Sequence, residues 1–118
     1  MTPVEHAKSS ASRHGGRWED YIQIHQWFDC TKQYTGDWTH RMLRHHAAGI
    51  EWCIDVFGHS IHVDGIGDIP TKVIAEQHLN EDCGFIPTVS DWTGILSEHP
   101  RDWMLRVQKK KSKALEVV

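Results

Sequence analysis

Apolar residues recur along this chain mainly at three- and four-residue intervals, the spacing that lines one face of an α-helix. Tyr21, Ile24, Trp27 and Phe28 form one such stripe, and Leu43, Ala47, Ile50, Ile54 and Phe57 form another. The boundaries follow from end signals. Thr2 at the N-cap, Pro3 behind it and Glu5 three residues on predict a capping box that opens a first helix, stopped at Gly15-Gly16. A second helix begins near Glu19-Asp20, whose charges suit the positive end of a helix dipole, and runs toward Gly36. The third and longest starts from a cap at Asp37 and ends before Gly58.

Residues 60–73 change character, with β-branched side chains flanking Asp64-Gly65 and Gly67-Asp68, and predict a small hairpin. Helix returns from about Val73 to Cys83, stopped by Gly84, with Phe85 placed for the apolar contact of a C-cap. Thr88 and Asp91 predict a second capping box, opening a short helix through Trp92, Ile95 and Leu96. Trp103 and Met104, beyond Pro100, then read as a last clip onto the core. The pattern predicts a mainly α fold, a compact helical domain of four to five helices with a small β-hairpin insertion and no solenoid repeat.

A length of 118 residues allows one domain, taken as residues 1–104, followed by a basic, flexible tail over 105–118. Six tryptophans supply large core anchors. The net charge of −3 excludes a globally basic nucleic-acid binder, but the charge is uneven. From Arg101 onward six Lys/Arg face two acids, leaving seven basic against fourteen acidic residues in positions 1–100. A Lys-rich end with no interleaved aromatic platform reads as solubilising, so nucleic acid is not the expected partner. Three cysteines without a CxxC pair fit a reducing compartment, and no apolar run is long enough for a membrane span or a signal peptide; the expectation is a cytoplasmic protein without a membrane partner.

The outlier is histidine, ten residues scattered from His6 to His99. His25 with Asp29 and His78 with Asp82 repeat one i,i+4 pattern, which puts an imidazole and a carboxylate on one helix face, and the segment HRMLRHH adds His40, His45 and His46. Imidazole and carboxylate are ligands for zinc and for several redox metals. The helical period of the third segment turns His46 inward and His45 toward the edge with Arg41 and Trp52. A divalent ion is therefore expected on His25, His46, His78 and Asp82, with zinc the first choice and manganese or iron the alternatives. Asp29 or His45 is assigned as general base and Arg44 as the holder of a small anionic substrate, giving a metal-dependent hydrolase.

Gln77 beside His78 is a candidate orienter, whereas Glu76 and Glu81 read as the wet face of the same helix. Histidine and aspartate four apart also arise on solvated helices, so a non-enzymatic interaction module with a structural histidine network stands beside the hydrolase. Other chemistries lack their signatures. Cys53 sits in an apolar run as an inert buried thiol, there is no GxSxG elbow and no HExxH, Gly65 to Gly67 lacks the rest of a dinucleotide loop, and His45-His46 differs from the His-Asp dipeptide of HD phosphohydrolases.

The motifs HAKSS, GGRWEDY, HQWFD, HRMLRHHAAGI, FG, EQHLNED, GFIPTVSDW and DWM run in this order from His6 to Met104. In them the chain resembles a family of short bacterial and phage-encoded proteins classed as a domain of unknown function. The shared pattern matches His6, Ser9, Ser10, Tyr21, His25, Asp29, His40, Arg41, Arg44, His45, His46, Gln77, His78 and Asp82. The resemblance implies no activity, but its signature falls on histidines and acids, which favours a common site.

Overall fold

The first helix, α1 (Pro3–His14), starts where its capping residues place it: Thr2 Oγ1 accepts from Glu5 N–H, and the Glu5 carboxylate accepts from Thr2 N–H. The computed structural model describes residues 1–106, apart from the side chains of residues 95–97. The turn after α1 uses Gly16 at φ +77, where a Cβ would stand 2.5 Å from Val63 Cγ1, so glycine lets this turn close onto the hairpin. The Tyr21 hydroxyl donates to Gly15 O and pins the same turn.

Both predicted long helices are interrupted. A 3₁₀ turn at Trp18–Asp20 leads into α2 (Ile22–Asp29), and after Cys30 and Thr31 a short α3 (Lys32–Thr35) ends on Gly36 in the left-handed region. A second 3₁₀ turn, Trp38–His40, capped by the Asp37 side chain, leads into α4 (Arg41–Arg44). The chain then turns extended at His46 and restarts as α5 (Ala47–Phe57). A Cβ at Gly49 would lie only 1.8 Å from Arg44 O, so the two helix ends abut in a way only glycine permits.

The hairpin follows, β1 (Ser60–Val63) paired antiparallel with β2 (Gly67–Pro70) in the register Ser60↔Pro70 to Val63↔Gly67. The next helix, α6 (Thr71–Cys83), starts directly off Pro70, two residues ahead of the predicted Val73, and stops at Gly84 as predicted. The last, α7 (Val89–Glu98), carries the second reciprocal cap between Thr88 and Asp91. The fold is mainly α with one two-stranded hairpin.

α1, α2, α5 and α6 pack around Tyr21, Ile24, Phe28, Ile50, Cys53, Ile74 and Leu79, with Val63 reaching in from β1. Leu43, ahead of the break at His45-His46, and Ala47, the first residue of α5, are exposed, whereas Ile50 of the same predicted stripe is buried. Phe85 and Trp103 are also more than half exposed, so neither is a buried core anchor. Residues 102–106 are again helical, and the lysine-rich stretch from Lys109 lies outside the described residues. Among the described residues, no helix is long and apolar enough to cross a membrane.

Candidate metal centre

Burial in this protein is unusual in its content: His6, His25, His45 and His78 are all fully buried. α1 brings His6 and Ser10, α2 brings His25 and Asp29, the Trp38–His40 turn brings His40, His45 follows α4, and α6 brings Gln77, His78, Glu81 and Asp82. Phe28 stacks on the His78 ring at 4.9 Å between centroids, which gives the cluster an apolar floor.

Four atoms converge on one point. His45 Nε2 lies 3.0 Å from Asp82 Oδ2, 3.1 Å from His78 Nε2 and 3.2 Å from Asp29 Oδ1. His78 Nε2 lies 3.2 Å from both carboxylate oxygens. Five of the six separations among these four atoms thus lie between 3.0 and 3.2 Å. Zinc bound at about 2.0 Å by nitrogen and oxygen would set ligand–ligand separations of roughly 3.3 Å, close to these five. His40 Nε2 adds a further ligand atom 3.4 Å from Asp29 Oδ1. His6, Asp29, His78 and Asp82, like Asp29, His40 and His45, have ligand atoms within 4.8 Å of one another.

The hydrogen bonds behind His78 fix which of its nitrogens carries the proton. Gln77 Nε2 contacts His6 O at 3.1 Å and Glu81 Oε1 at 2.9 Å, both acceptors only, so the amide orientation is set and Gln77 Oε1 points the other way. Ser10 Oγ, 2.7 Å from that oxygen, must donate to it. Its single hydrogen is then used, and Ser10 Oγ accepts from His25 Nε2–H at 2.8 Å. Burial, reinforced by repulsion from His78 and His6, pushes His25 down to about 3, so it is neutral and its Nδ1 is a bare acceptor. His78 Nδ1, 2.9 Å away, therefore donates. A neutral His78 is left with a bare Nε2 facing two carboxylate oxygens, an arrangement that is repulsive until a cation, either a proton or a metal ion, lies between them.

Burial alone would raise the carboxyls of Asp29 and Asp82, but hydrogen bonds from His45, from His78 when its Nε2 carries a proton, and for Asp82 also from His6, hold both well below the usual range. Burial opposes charge on His6 and His45 too, yet both are raised: His6 by Asp82 and Glu81, His45 by Asp29 and Asp82. His6 is accordingly an imidazolium donating from Nδ1 to Glu81 at 2.9 Å and from Nε2 to Asp82 at 3.0 Å, and Ser9 adds a 2.6 Å bond to Glu81. His40 Nδ1 donates to Asp37 O at 2.8 Å, which frees its Nε2 when the ring is neutral.

The predicted site residues separate into those inside the cluster and those outside. Asp29, His45, His78 and Asp82 meet directly, and His25 stands one bond behind His78. His46 is outside: its Nδ1 accepts from Gly49 N–H at 3.0 Å as the N-cap of α5, and its Nε2 donates to Leu43 O at 3.1 Å. The break between α4 and α5 exchanges the roles expected of His45 and His46. Arg44 is outside as well, its guanidinium between the Trp27 and Trp52 rings at 4.3 and 4.8 Å and bonded to Trp27 O at 2.6 Å. Sequence reasoning gave His6 and His40 no ligand role, although His40 stood in HRMLRHH and both stood in the family pattern, and it placed Glu81 on the wet face. The available signal for His6 was its position one helical turn before Ser9 and Ser10, beside buried Ala7.

A cleft of about 580 Å³ opens beside the cluster, with Asp29, His40 and Asp82 on its wall together with Lys32, Arg41 and Gln26. The thiols stand apart from this chemistry: Cys53 is buried and pushed up to about 12, chiefly by burial, which makes it inert at neutral pH.

Neither the curated proteins nor the solved structures contain a match to the chain. Residues 1–104 match the family described as a domain of unknown function (DUF6915), and the chain belongs to that family.

Proposed function

We propose that this DUF6915 protein binds a divalent metal ion on His45, His78, Asp29 and Asp82 and uses it for hydrolysis of a small anionic substrate. The observation that carries the reading is the hydrogen-bonded chain Gln77–Ser10–His25–His78, which in a neutral His78 would turn a bare nitrogen toward two carboxylates. The donor set suits zinc first, with manganese and iron as alternatives. An ion that kept a further position open for water beside these ligands would supply a nucleophilic hydroxide near neutral pH by acidifying that water. The chain's own residues supply the rest: His6 and Glu81 orient Asp82, His25 orients His78, and His40 Nε2 on the cleft wall is placed to accept a proton. Asp29 and His45, first assigned as bases, are reassigned as ligands on these distances. The cleft favours a reacting site over a closed structural one. Free Cys30, Cys53 and Cys83 fit a reducing, cytoplasmic setting.

Complete burial of His6, His25, His45 and His78 favours a second reading, a structural histidine network in a non-enzymatic interaction module. The two separate on activity: protein loaded with zinc or manganese is assayed against chromogenic phosphate, carboxylate and sulfate esters. Hydrolysis that a chelator abolishes and metal restores supports the enzyme. Metal uptake with no hydrolysis of any ester supports the structural network.

A further inference from the structure

Three cations stand on the wall of the main cleft: the Met1 ammonium pairs with Asp82 at 3.9 Å, whereas Arg41 and Lys32 form no ion pair or hydrogen bond with the described residues, although Arg41 Nε is buried. The cleft's carboxylates do not neutralise them, because Asp29 and Asp82 are engaged by histidines. A buried guanidinium nitrogen without an acceptor is costly unless a ligand completes it. Arg41 opens α4 and His45 follows its last residue, an i,i+4 relation that puts the guanidinium on the side of the helix from which His45 reaches the cluster.

A second recess of about 230 Å³ shares Arg41 and Asp82 with the main cleft, and its other walls include Phe85, Pro87 and Trp92. Trp92 is held there by donating from Nε1 to His45 O at 2.8 Å. One ligand can therefore place a charged end between Arg41 and Lys32 and an apolar group among these rings. A carboxylate is used up by a single guanidinium fork and leaves Lys32 unpaired, whereas a phosphoryl dianion has a third terminal oxygen for it.

We infer, resting on the metal-hydrolase reading, that the substrate is a phosphomonoester carrying an aromatic or other apolar group, with Arg41 and Lys32 holding the phosphoryl oxygens. In the reaction the water oxygen bonds to phosphorus as the ester P–O bond breaks. The water's proton passes to the departing alcohol oxygen through His40 Nε2, giving the alcohol and inorganic phosphate.

The test is calorimetric titration of phenyl phosphate, inorganic phosphate and benzoate into zinc-loaded and metal-free protein, after zinc uptake itself has been measured. Phenyl phosphate should bind tighter than inorganic phosphate and roughly tenfold tighter than benzoate, and Arg41→Gln should weaken it by about tenfold, the loss of one charge-assisted pair of bonds. Zinc uptake and melting temperature of Arg41→Gln should match the parent, which separates a binding role from a folding one. Lys32→Gln should give a smaller loss of the same kind. Absence of zinc uptake would remove the metal reading alone, since the Arg41 dependence is read on metal-free protein as well. The inference is overturned if neither form binds phenyl phosphate at millimolar concentration, if Arg41→Gln binds it as well as the parent, or if benzoate binds equally well.

Discussion

Gln77→Met is the most searching perturbation of the site, because Gln77 touches no proposed ligand of the metal and yet sets the tautomer of one. Its amide makes three hydrogen bonds in a buried setting, to Ser10, His6 O and Glu81. Methionine keeps the length of the side chain but removes the acceptor that claims the Ser10 hydrogen. Ser10 Oγ then divides its hydrogen between His6 O, 3.2 Å away, and His25 Nε2; in the second arrangement His25 shifts its own proton to Nδ1, and His78 must accept there and carry its proton on Nε2. That tautomer is not a ligand. Restoring the ligand form should cost about 10- to 100-fold in metal affinity, the usual range for groups that orient a ligand. His6 O and Glu81 also lose a donor, so the melting curve should report a destabilisation of about 1–3 kcal/mol. Affinity is read by competition with a chromogenic chelator, and the tautomers by nitrogen–proton NMR of the histidine rings in metal-free protein at mildly alkaline pH. The reasoning fails if His78 of the parent is protonated on Nε2 there, or if folded Gln77→Met binds metal as tightly as the parent.

Three further outcomes follow from the same contacts. His46→Ala should cost about 1 kcal/mol through the lost cap of α5 and leave metal uptake unchanged, whereas His45→Ala should abolish uptake; isothermal titration of both variants decides this, and the reverse ranking would contradict the assignment. Arg44→Ala should lower stability by about 1–3 kcal/mol through lost packing between Trp27 and Trp52, with metal affinity retained, as seen by paired melts and titrations. Metal-free protein should be most stable near pH 6.5: the raised His6 and His45 contribute stability that is complete below their ordinary value of 6.5 and lost as pH rises through their folded values. His25, lowered to about 3, acts oppositely, its stability being complete above 6.5 and lost as pH falls from there. A melting temperature rising monotonically to pH 8 and beyond would refute the signs.

Much of this architecture was legible. End signals are local chemistry, and the caps at Thr2, Thr88 and Gly84 are where their side chains or left-handed backbones require them. The stripe of Tyr21, Ile24 and Phe28 was equally clear because α2 carries Ile24 and Phe28 without a break and Tyr21 caps it. The stripe from Leu43 to Phe57 misled because periodicity presumes continuity, and a helix break resets the phase without altering the composition. Gly49, three residues after His46, was the one local sign of that break. The site itself was half visible. The repeated His/Asp spacing located α2 and α6 correctly, but a buried polar face looks in sequence like a solvated one, so Glu81 and Ser10 were indistinguishable from surface residues. His6 depended on the packing of α1 against α6, a contact with no local signature.

The central claim is the divalent ion, and the most direct measurement is elemental analysis of tag-free protein that has never met a nickel column, combined with melts before and after metal is added. The account predicts about one ion per chain, lost with His45→Ala and with Asp82→Asn. A metal present at a hundredfold excess over its Kd should stabilise the domain by about 2.7 kcal/mol, roughly 10 °C or more in Tm. A metal content near zero, with no shift in Tm on adding zinc, manganese or iron, would contradict it.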